Sequence, residues 1–511
     1  MSRSLPPSPS GSPSTLKTTA ARGAGWMIVL SNLARAVGLV GTLVITYFLS
    51  PSAIGEVSIA VVLTLTFGQL SNLGLGQYLV THPDEDEATV WHALVLHVAV
   101  GAVFLGGMLL LRHPLAELTH SATVAAYLPW LAAPAVLERV SFVPERLMTR
   151  DLRFKPVAVI RSLSEVTYSA SSVGLAMAGF GGMAIVYANA ARSVMRFTLF
   201  TFGVRPGAWL TPRRLEWAVC KRMLSFGFPL AIGVFIEYSV GRWDNLLFAY
   251  LFGPTVMGEY SLAYNLADVP ADQVGEQLAE VLLPSLARLD AERRKKAVVF
   301  ATGVVSIVAF PLAMGFGAVG DTAVHTLLPP RWWGVAPMLS LLCVLSVARP
   351  LSWQLESYLM VLDRTRVLTL LQFGKLCAMV ALVLTMGRLG PLWACLAVGA
   401  AFGGHALATM WVIARTEAIP VRAFLHRCLV PTLASAIMIG AVLAVRHLLA
   451  QAGIDARGVN LVIEIAAGGL AYVGACLVVG PSASRELFDL VRSALDRRRA
   501  SVPPMPAARG A

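Results

Sequence analysis

The sequence predicts an all-α polytopic membrane protein with about 14 transmembrane helices, as two pseudo-symmetric six-helix lobes plus two C-terminal helices. Three observations predict it. Apolar stretches of about twenty residues recur along the whole chain, each long enough to cross a hydrocarbon core. Only 14% of residues are charged, against roughly 25% in a soluble domain, and mean hydropathy is +0.69. One apolar segment also recurs far along the chain in the same direction.

Taken in order, the expected spans are 24–49, 55–80, 88–111, 122–145, 156–179, 182–203, 224–252, 256–283, 297–319, 335–360, 366–387, 391–414, 427–449 and 459–480. Residues 1–22 are rich in Ser, Pro and Thr and form an expected disordered cytoplasmic tail. The first span is too long for a signal-peptide core, so it remains as an anchor. Residues 23–222 form the N-lobe (helices 1–6), 223–414 the C-lobe (helices 7–12), 415–482 helices 13 and 14, and 483–511 a basic cytoplasmic tail. Within 484–499, Leu487, Phe488, Val491 and Leu495 share a helical face, as in a helix lying on a membrane surface.

Basic residues alternate between connections. Arg146, Arg150, Arg153 and Lys155 precede span 5, and Arg205, Arg213, Arg214, Lys221 and Arg222 precede span 7. Arg288, Arg293, Arg294, Lys295 and Lys296 precede span 9. With both tails and the connections 361–366 and 415–427, one side collects about 28 of the 41 basic residues; the other collects about 5, namely Arg112, Arg331, Arg388, Arg446 and Arg457. This places both termini in the cytoplasm. The net charge of +12 therefore reports topology and contact with membrane lipids, not nucleic acid.

The repeat aligns Val37-Gly38, Leu43, Tyr47, Pro51, Gly55-Glu56, Ser58 and Ala60 with Val240-Gly241, Leu246, Tyr250, Pro254, Gly258-Glu259, Ser261 and Ala263, at a constant offset of 203. Six spans separate the copies, so they run in parallel. Two parallel lobes suit a transporter that rocks about a central site.

Soluble-enzyme chemistry is missing. There is no phosphate-binding G-x-x-x-x-G-K-[ST] loop, no G-x-S-x-G elbow and no H-E-x-x-H. Asp84-Glu85-Asp86 fits a D-x-D pattern but lies in a short acidic connection. Cys220, Cys343, Cys377, Cys395, Cys428 and Cys476 form no C-x-x-C pair, and most lie in apolar spans as small core residues. No cofactor or metal is expected.

What remains is ionisable residues inside spans, which are expensive in hydrocarbon. Arg35 is in span 1, Glu138 and Arg139 in span 4, Arg161 and Glu165 in span 5 at i,i+4 spacing. Span 7 carries Glu237, Arg242 and Asp244; span 10 carries Arg349 and Glu356; span 11 carries Lys375. At 100° per residue, Gly233, Glu237, Gly241 and Asp244 share one face of span 7, a groove suited to a cation or a sugar hydroxyl. In span 8, Asp268, Asp272, Glu276 and Glu280 repeat every four residues; a water-filled vestibule or a helix extending into cytoplasm explains them. Arg35, Arg139, Arg161, Arg242, Arg349 and Lys375 are the candidate substrate site, and a cavity lined by them would take an anion. Arginine suits diphosphate because its fork gives paired, charge-assisted hydrogen bonds. The alternative is structural: Arg139 and Arg161 neutralise Glu138 and Glu165, while Arg192 and Arg196 snorkel to the surface. Glu237, Asp244, Asp268 and Asp272 are candidates for cation or sugar coupling, with Na⁺, H⁺ and no coupling ion all open.

Several segments resemble one family. Asp244-Asn245-Leu246-Leu247, Gly253 and Gly258-Glu259-Tyr260-Ser261-Leu262-Ala263-Tyr264 are similar to the helix 7–8 signature of bacterial oligosaccharide flippases, the polysaccharide transport branch of the multidrug/oligosaccharidyl-lipid/polysaccharide exporter superfamily. Arg150-Asp151-Leu152-Arg153-Phe154, Gly179-Phe180-Gly181, Leu283-Pro284-Ser285-Leu286-Ala287-Arg288 and Leu328-Pro329-Pro330-Arg331-Trp332 extend the resemblance over roughly residues 23–480. It implies a non-enzymatic flippase that moves polyprenyl-diphosphate-linked glycan from the inner to the outer leaflet of the cytoplasmic membrane by alternating access. It further implies a cationic central cavity, for which Arg35 and Arg242 are the closest candidates, and other polysaccharide assembly proteins as partners. A drug/cation exporter of the same superfamily, a membrane polysaccharide polymerase or glycosyltransferase, and a scaffold of an export complex are the alternatives. The first needs fewer arginines, the second a larger extracytoplasmic loop; the scaffold leaves the buried charges unexplained.

Overall fold

The computed structural model describes residue 30 and residues 32–82, 86–271, 275, 286–454 and 456–479. The two tails, Asp84 and Glu85 of the acidic connection, and Asp272, Glu276 and Glu280 of span 8 lie outside the described residues.

Among the described residues the protein is helical throughout, without a strand. The helices are α1 (Asn32–Ile45), α2 (Pro51–Leu70), α3 (Leu75–Thr81), α4 (Glu87–Leu110), α5 (Arg112–Leu118), α6 (Ala122–Arg150), α7 (Phe154–Met177) and α8 (Met183–Gly203). They continue with α9 (Trp217–Ala271), α10 (Ala291–Leu327), α11 (Val335–Leu345), α12 (Ala348–Val361), α13 (Thr365–Met386), α14 (Pro391–Glu417), α15 (Val421–Gln451) and α16 (Arg457–Val479). Each expected span overlaps helix among the described residues, with span 2 divided between α2 and α3, span 10 between α11 and α12, and spans 7 and 8 sharing α9. Among the described residues, nine helical stretches are both long and apolar enough to cross a membrane. The helices α6, α7 and α8 have the length, at 29, 24 and 21 residues. They fall outside the apolar set because they carry a network of arginines and glutamates.

Local chemistry sets the boundaries. Ser50 caps α2, its hydroxyl accepting from Ala53 N at 3.3 Å, and Pro51 fills the first helical position, where no N–H is needed. Asp86 caps α4 by accepting from Thr89 N at 2.9 Å. That bond holds its carboxyl below the usual carboxylate range, so Asp86 acts as a helix cap. Gly253, with φ 77°, breaks α9 into two arms at the expected junction between spans 7 and 8.

Exposed apolar side chains are what a lipid-facing surface requires. Val103, Leu110, Phe202, Leu470 and Val478 are each at least 71% exposed. In water this would be a large liability.

The chain packs as two compact units, Met1–Ser261 with Leu328–Trp332, and Leu262–Leu327 with Trp333–Ala511. In the first unit, Leu75 and Leu79 of α3, Leu94 of α4 and Leu147 of α6 form a core with Trp209 and Met223. The repeat-related starts of α2 and of the second arm of α9 cross at close quarters there. A Cβ on Gly55 would overlap the Pro254 carbonyl oxygen, and one on Gly258 would overlap that of Pro51. Both pairs are related by the offset of 203, so equivalent residues meet reciprocally.

Leu328–Trp332, far along the chain, belongs to this first unit. Arg331 donates to the carbonyls of Thr46 and Tyr47, and Trp332 Nε1 donates to Thr46 O at 3.0 Å and Leu49 O at 3.2 Å. The last carbonyls of a helix have no partner within it, and a guanidinium there also complements the negative helix end. Arg331→Ala is expected to cost about 1–2 kcal/mol, read as a lower melting temperature in detergent. An unchanged value would remove this cap from the stabilising contacts.

In the second unit, Val298 of α10, Leu355 and Leu359 of α12, Ile413 of α14 and Phe424 of α15 form the core. Glu464 of α16, 1% exposed, accepts from Arg446 Nη2 at 3.0 Å and from Thr322 Oγ1 at 2.8 Å. Arg446, half-buried within α15, is therefore a partner of α16.

Candidate functional site

Each unit contains its own network of charges, and the two networks differ in sign balance.

In the first unit, the doublet Glu138-Arg139 on α6 recurs two turns later as Glu145-Arg146. Seven-residue spacing puts both doublets on nearly the same face. Glu145 is 6% exposed, and burying a carboxylate requires a partner. It has two. Arg161 of α7 donates to Oε1 through both Nε and Nη2, and Arg196 of α8 donates to Oε2 at 3.1 Å. The expected Arg161–Glu165 pair along α7 does not form. Glu165 lies 3.7 Å from Arg192, and Glu138 accepts from Ser193 Oγ at 2.8 Å. The reason is geometric: carboxylates of α6 and α7 meet the arginines of α8 across helix interfaces, so Arg192 and Arg196 are bound within the unit and do not merely snorkel.

Arg139 and Arg146 point toward α2, α3 and α4. Gly68 and Gly101 leave the space that Arg139 occupies, and Gly76 leaves it for Arg146 and Phe142. His97 stacks on Phe142 at 4.2 Å between centroids, with its Nε2 3.5 Å from Arg139 Nη1. The Nε atoms of both arginines lack a hydrogen-bond partner. Across α6–α8, Arg139, Arg146, Arg161, Arg192 and Arg196 outnumber Glu138, Glu145 and Glu165, leaving a positive surplus.

In the second unit, Arg349 of α12 donates to Asp268 and to the Tyr264 hydroxyl. Its guanidinium also lies 4.5 Å from the Phe402 ring centroid, and Lys375 Nζ of α13 lies 5.2 Å from that ring. Phe402 thus touches two cations, a favourable use of its negative π-face. Beyond it, Glu356 of α12 contacts His405 Nε2 of α14 at 2.8 Å and Lys375 Nζ at 3.9 Å. Arg349, Lys375 and Asp268, separate candidates in the sequence, are brought together by an aromatic ring and a histidine that pattern alone did not single out. A lone His in an apolar span was the only signal available for His405.

The remaining candidates sit differently. Arg35 on α1 and Arg242 and Glu237 on α9 are exposed. Asp244 is fully buried and accepts from Tyr260 OH at 2.6 Å and Asn245 N at 2.9 Å. Glu237 and Asp244 therefore occupy different environments, one exposed and one buried. Gly233 and Gly241 do face open space. Asp272 lies outside the described residues.

A sequence model of the family described as polysaccharide biosynthesis protein matches residues 44–337. The succinoglycan biosynthesis transport protein ExoT of Rhizobium meliloti is 24% identical over 495 residues, covering 94% of this chain and 97% of its own. The lipopolysaccharide biosynthesis protein WzxC of Escherichia coli is 24% identical over 355 residues, covering 68% and 70%. Among solved structures, the lipid II flippase MurJ in an inward closed conformation superposes with TM-score 0.74 at 12% identity, covering 90% of this chain and 99% of that one. An outward-facing multidrug resistance MATE family transporter superposes at 0.52 with 14% identity, covering 78% and 96%. These likenesses establish a shared transporter fold.

Proposed function

The chain belongs to the polysaccharide biosynthesis protein family, and from that membership we propose that it is a flippase. Its cargo is polyprenyl-diphosphate-linked oligosaccharide, moved from the inner to the outer leaflet of the bacterial cytoplasmic membrane for surface polysaccharide assembly. Both termini lie in the cytoplasm, and the two six-helix lobes predicted from the repeat alternate in access. The observation that carries this reading is the positive surplus within the α6–α8 network, where one buried carboxylate, Glu145, serves two arginines. A cationic interior favours an anionic head group such as diphosphate. An interior-negative potential would add about 2.3 kcal/mol per charge per 100 mV to outward movement of an anion. An exporter of cationic drugs would gain from the opposite balance.

The experiment is deletion of the gene with rescue by wild type or by the Arg35→Ala/Arg242→Ala double variant. Repeat units trapped on polyprenyl diphosphate in the cytoplasmic leaflet, rescued by wild type alone, are expected. Single repeat units displayed outside but never polymerised would replace this reading with a polymerase. Rescue by the double variant would move the diphosphate site from those exposed arginines.

A further inference from the structure

Three helices of the second unit converge on Glu356 and His405. His405 Nδ1 lies 3.3 Å from the backbone carbonyl of Leu371. A carbonyl oxygen can only accept, so that contact requires the proton on Nδ1. The other nitrogen, Nε2, then faces Glu356 Oε1 at 2.8 Å. A neutral Nδ1–H imidazole has only a lone pair at Nε2, and a carboxylate has only lone pairs. With the imidazole in that tautomer, a hydrogen bond between Nε2 and Oε1 needs one further proton. Both side chains are buried, Glu356 at 7% and His405 at 4% exposed.

The charged surroundings show why this proton matters. Lys375 on α13 stands 3.9 Å from the same carboxylate oxygen. Arg349 on α12 is engaged by Asp268 of α9 on the far side of Phe402. On α11 the titratable group is Cys343, and on α10 the polar groups at this level are Thr302 and Ser306. Tyr358 of α12 is directed to Glu417 at the end of α14, and Arg427 of α15 packs against Phe300 and Gly303 of α10. With the proton, Glu356, His405 and Lys375 together carry one positive charge. Without it they carry none, and two acceptors are left 2.8 Å apart.

We propose that Glu356 and His405 form a proton-binding site, with Lys375 as the internal cation that neutralises Glu356 when the proton leaves. One proton from water is taken up between Nε2 and Oε1 and returned to water, with no other bond made or broken. Loss of the proton replaces the α12–α14 hydrogen bond by repulsion and favours the α12–α13 ion pair, so α13 and α14 exchange their hold on α12. For its role this rests on the transport reading above: the site would link lobe movement to a proton gradient.

The test is infrared pH-difference spectroscopy on the full-length protein in lipid, between pH 5 and pH 9. The expected result is a carboxyl or imidazole band that titrates in wild type and is absent in both Glu356→Gln and His405→Gln. A band that survives both Gln variants, or no titrating band in wild type, overturns the proposal, even in a protein that flips glycan normally. Conversely, a titrating pair in a strain whose deletion leaves no trapped intermediate keeps the proton site and removes the flippase. Unfolding of one Gln variant leaves the other to decide.

Discussion

The Glu145→Ala variant is expected to lose on the order of 3 kcal/mol of stability and to accumulate poorly in the membrane. Removing one partner from a buried ion pair leaves an uncompensated buried charge, and the loss typically reaches about 3–5 kcal/mol. Here the substitution strands two arginines. Arg161 is 45% exposed at its side chain and can find water, which tempers the loss; Arg196 at 27% is less able to. Arg146 next to it adds repulsion. Glu145→Gln keeps the shape and an acceptor oxygen but not the charge, so it should fall between wild type and alanine. Thermal unfolding in detergent, with the yield of monodisperse protein, measures both. A wild-type melting temperature for Glu145→Ala would show that the arginines are satisfied elsewhere and would remove the network as the support of the cationic interior.

A comparably large effect is expected at the helix crossing. Gly258→Val places branched carbons where the Pro51 carbonyl stands, and Gly55→Val does the same at Pro254. Overpacking usually costs about 1–3 kcal/mol, and the obstacle here is backbone, which cannot rotate aside as a side chain can. The helices must separate or the protein must fail to fold. Because both contacts belong to one crossing, the double variant should cost clearly less than the sum of the singles; once the helices part, the second side chain enters space already opened. Melting temperature and glycan display in the deletion strain read this out. Full additivity, or normal behaviour of either valine variant, would mean that the two helices do not depend on this approach.

Much of this architecture is legible in the amino-acid sequence. Span positions follow from apolar length, because the hydrocarbon core sets a minimum that few other segments meet. The junction between spans 7 and 8 at Gly253-Pro254 and the parallel repeat follow from local sequence signals. The arginine pairing was not legible. Spacing along α7 allowed Arg161 to meet Glu165, but side-chain partners within a bundle depend on which helix faces which, and α6 and α8 present better-placed partners than α7 itself does. Likewise, Phe402 and His405 look like ordinary members of an apolar span. Their meaning comes from Arg349, Lys375 and Glu356 on other helices.

The division has a physical cause. Hydrophobic length, charge asymmetry and turn residues act over a few residues, so this sequence by itself determined a polytopic helical membrane protein with a duplicated plan and surplus cations inside it. Ion pairs, the contact of Glu356 with His405, and the reciprocal approach of Gly55 and Gly258 are set by distances of about 3 Å between residues far apart in the chain. Those distances exist only after the helices pack, and only the tertiary structure decided them.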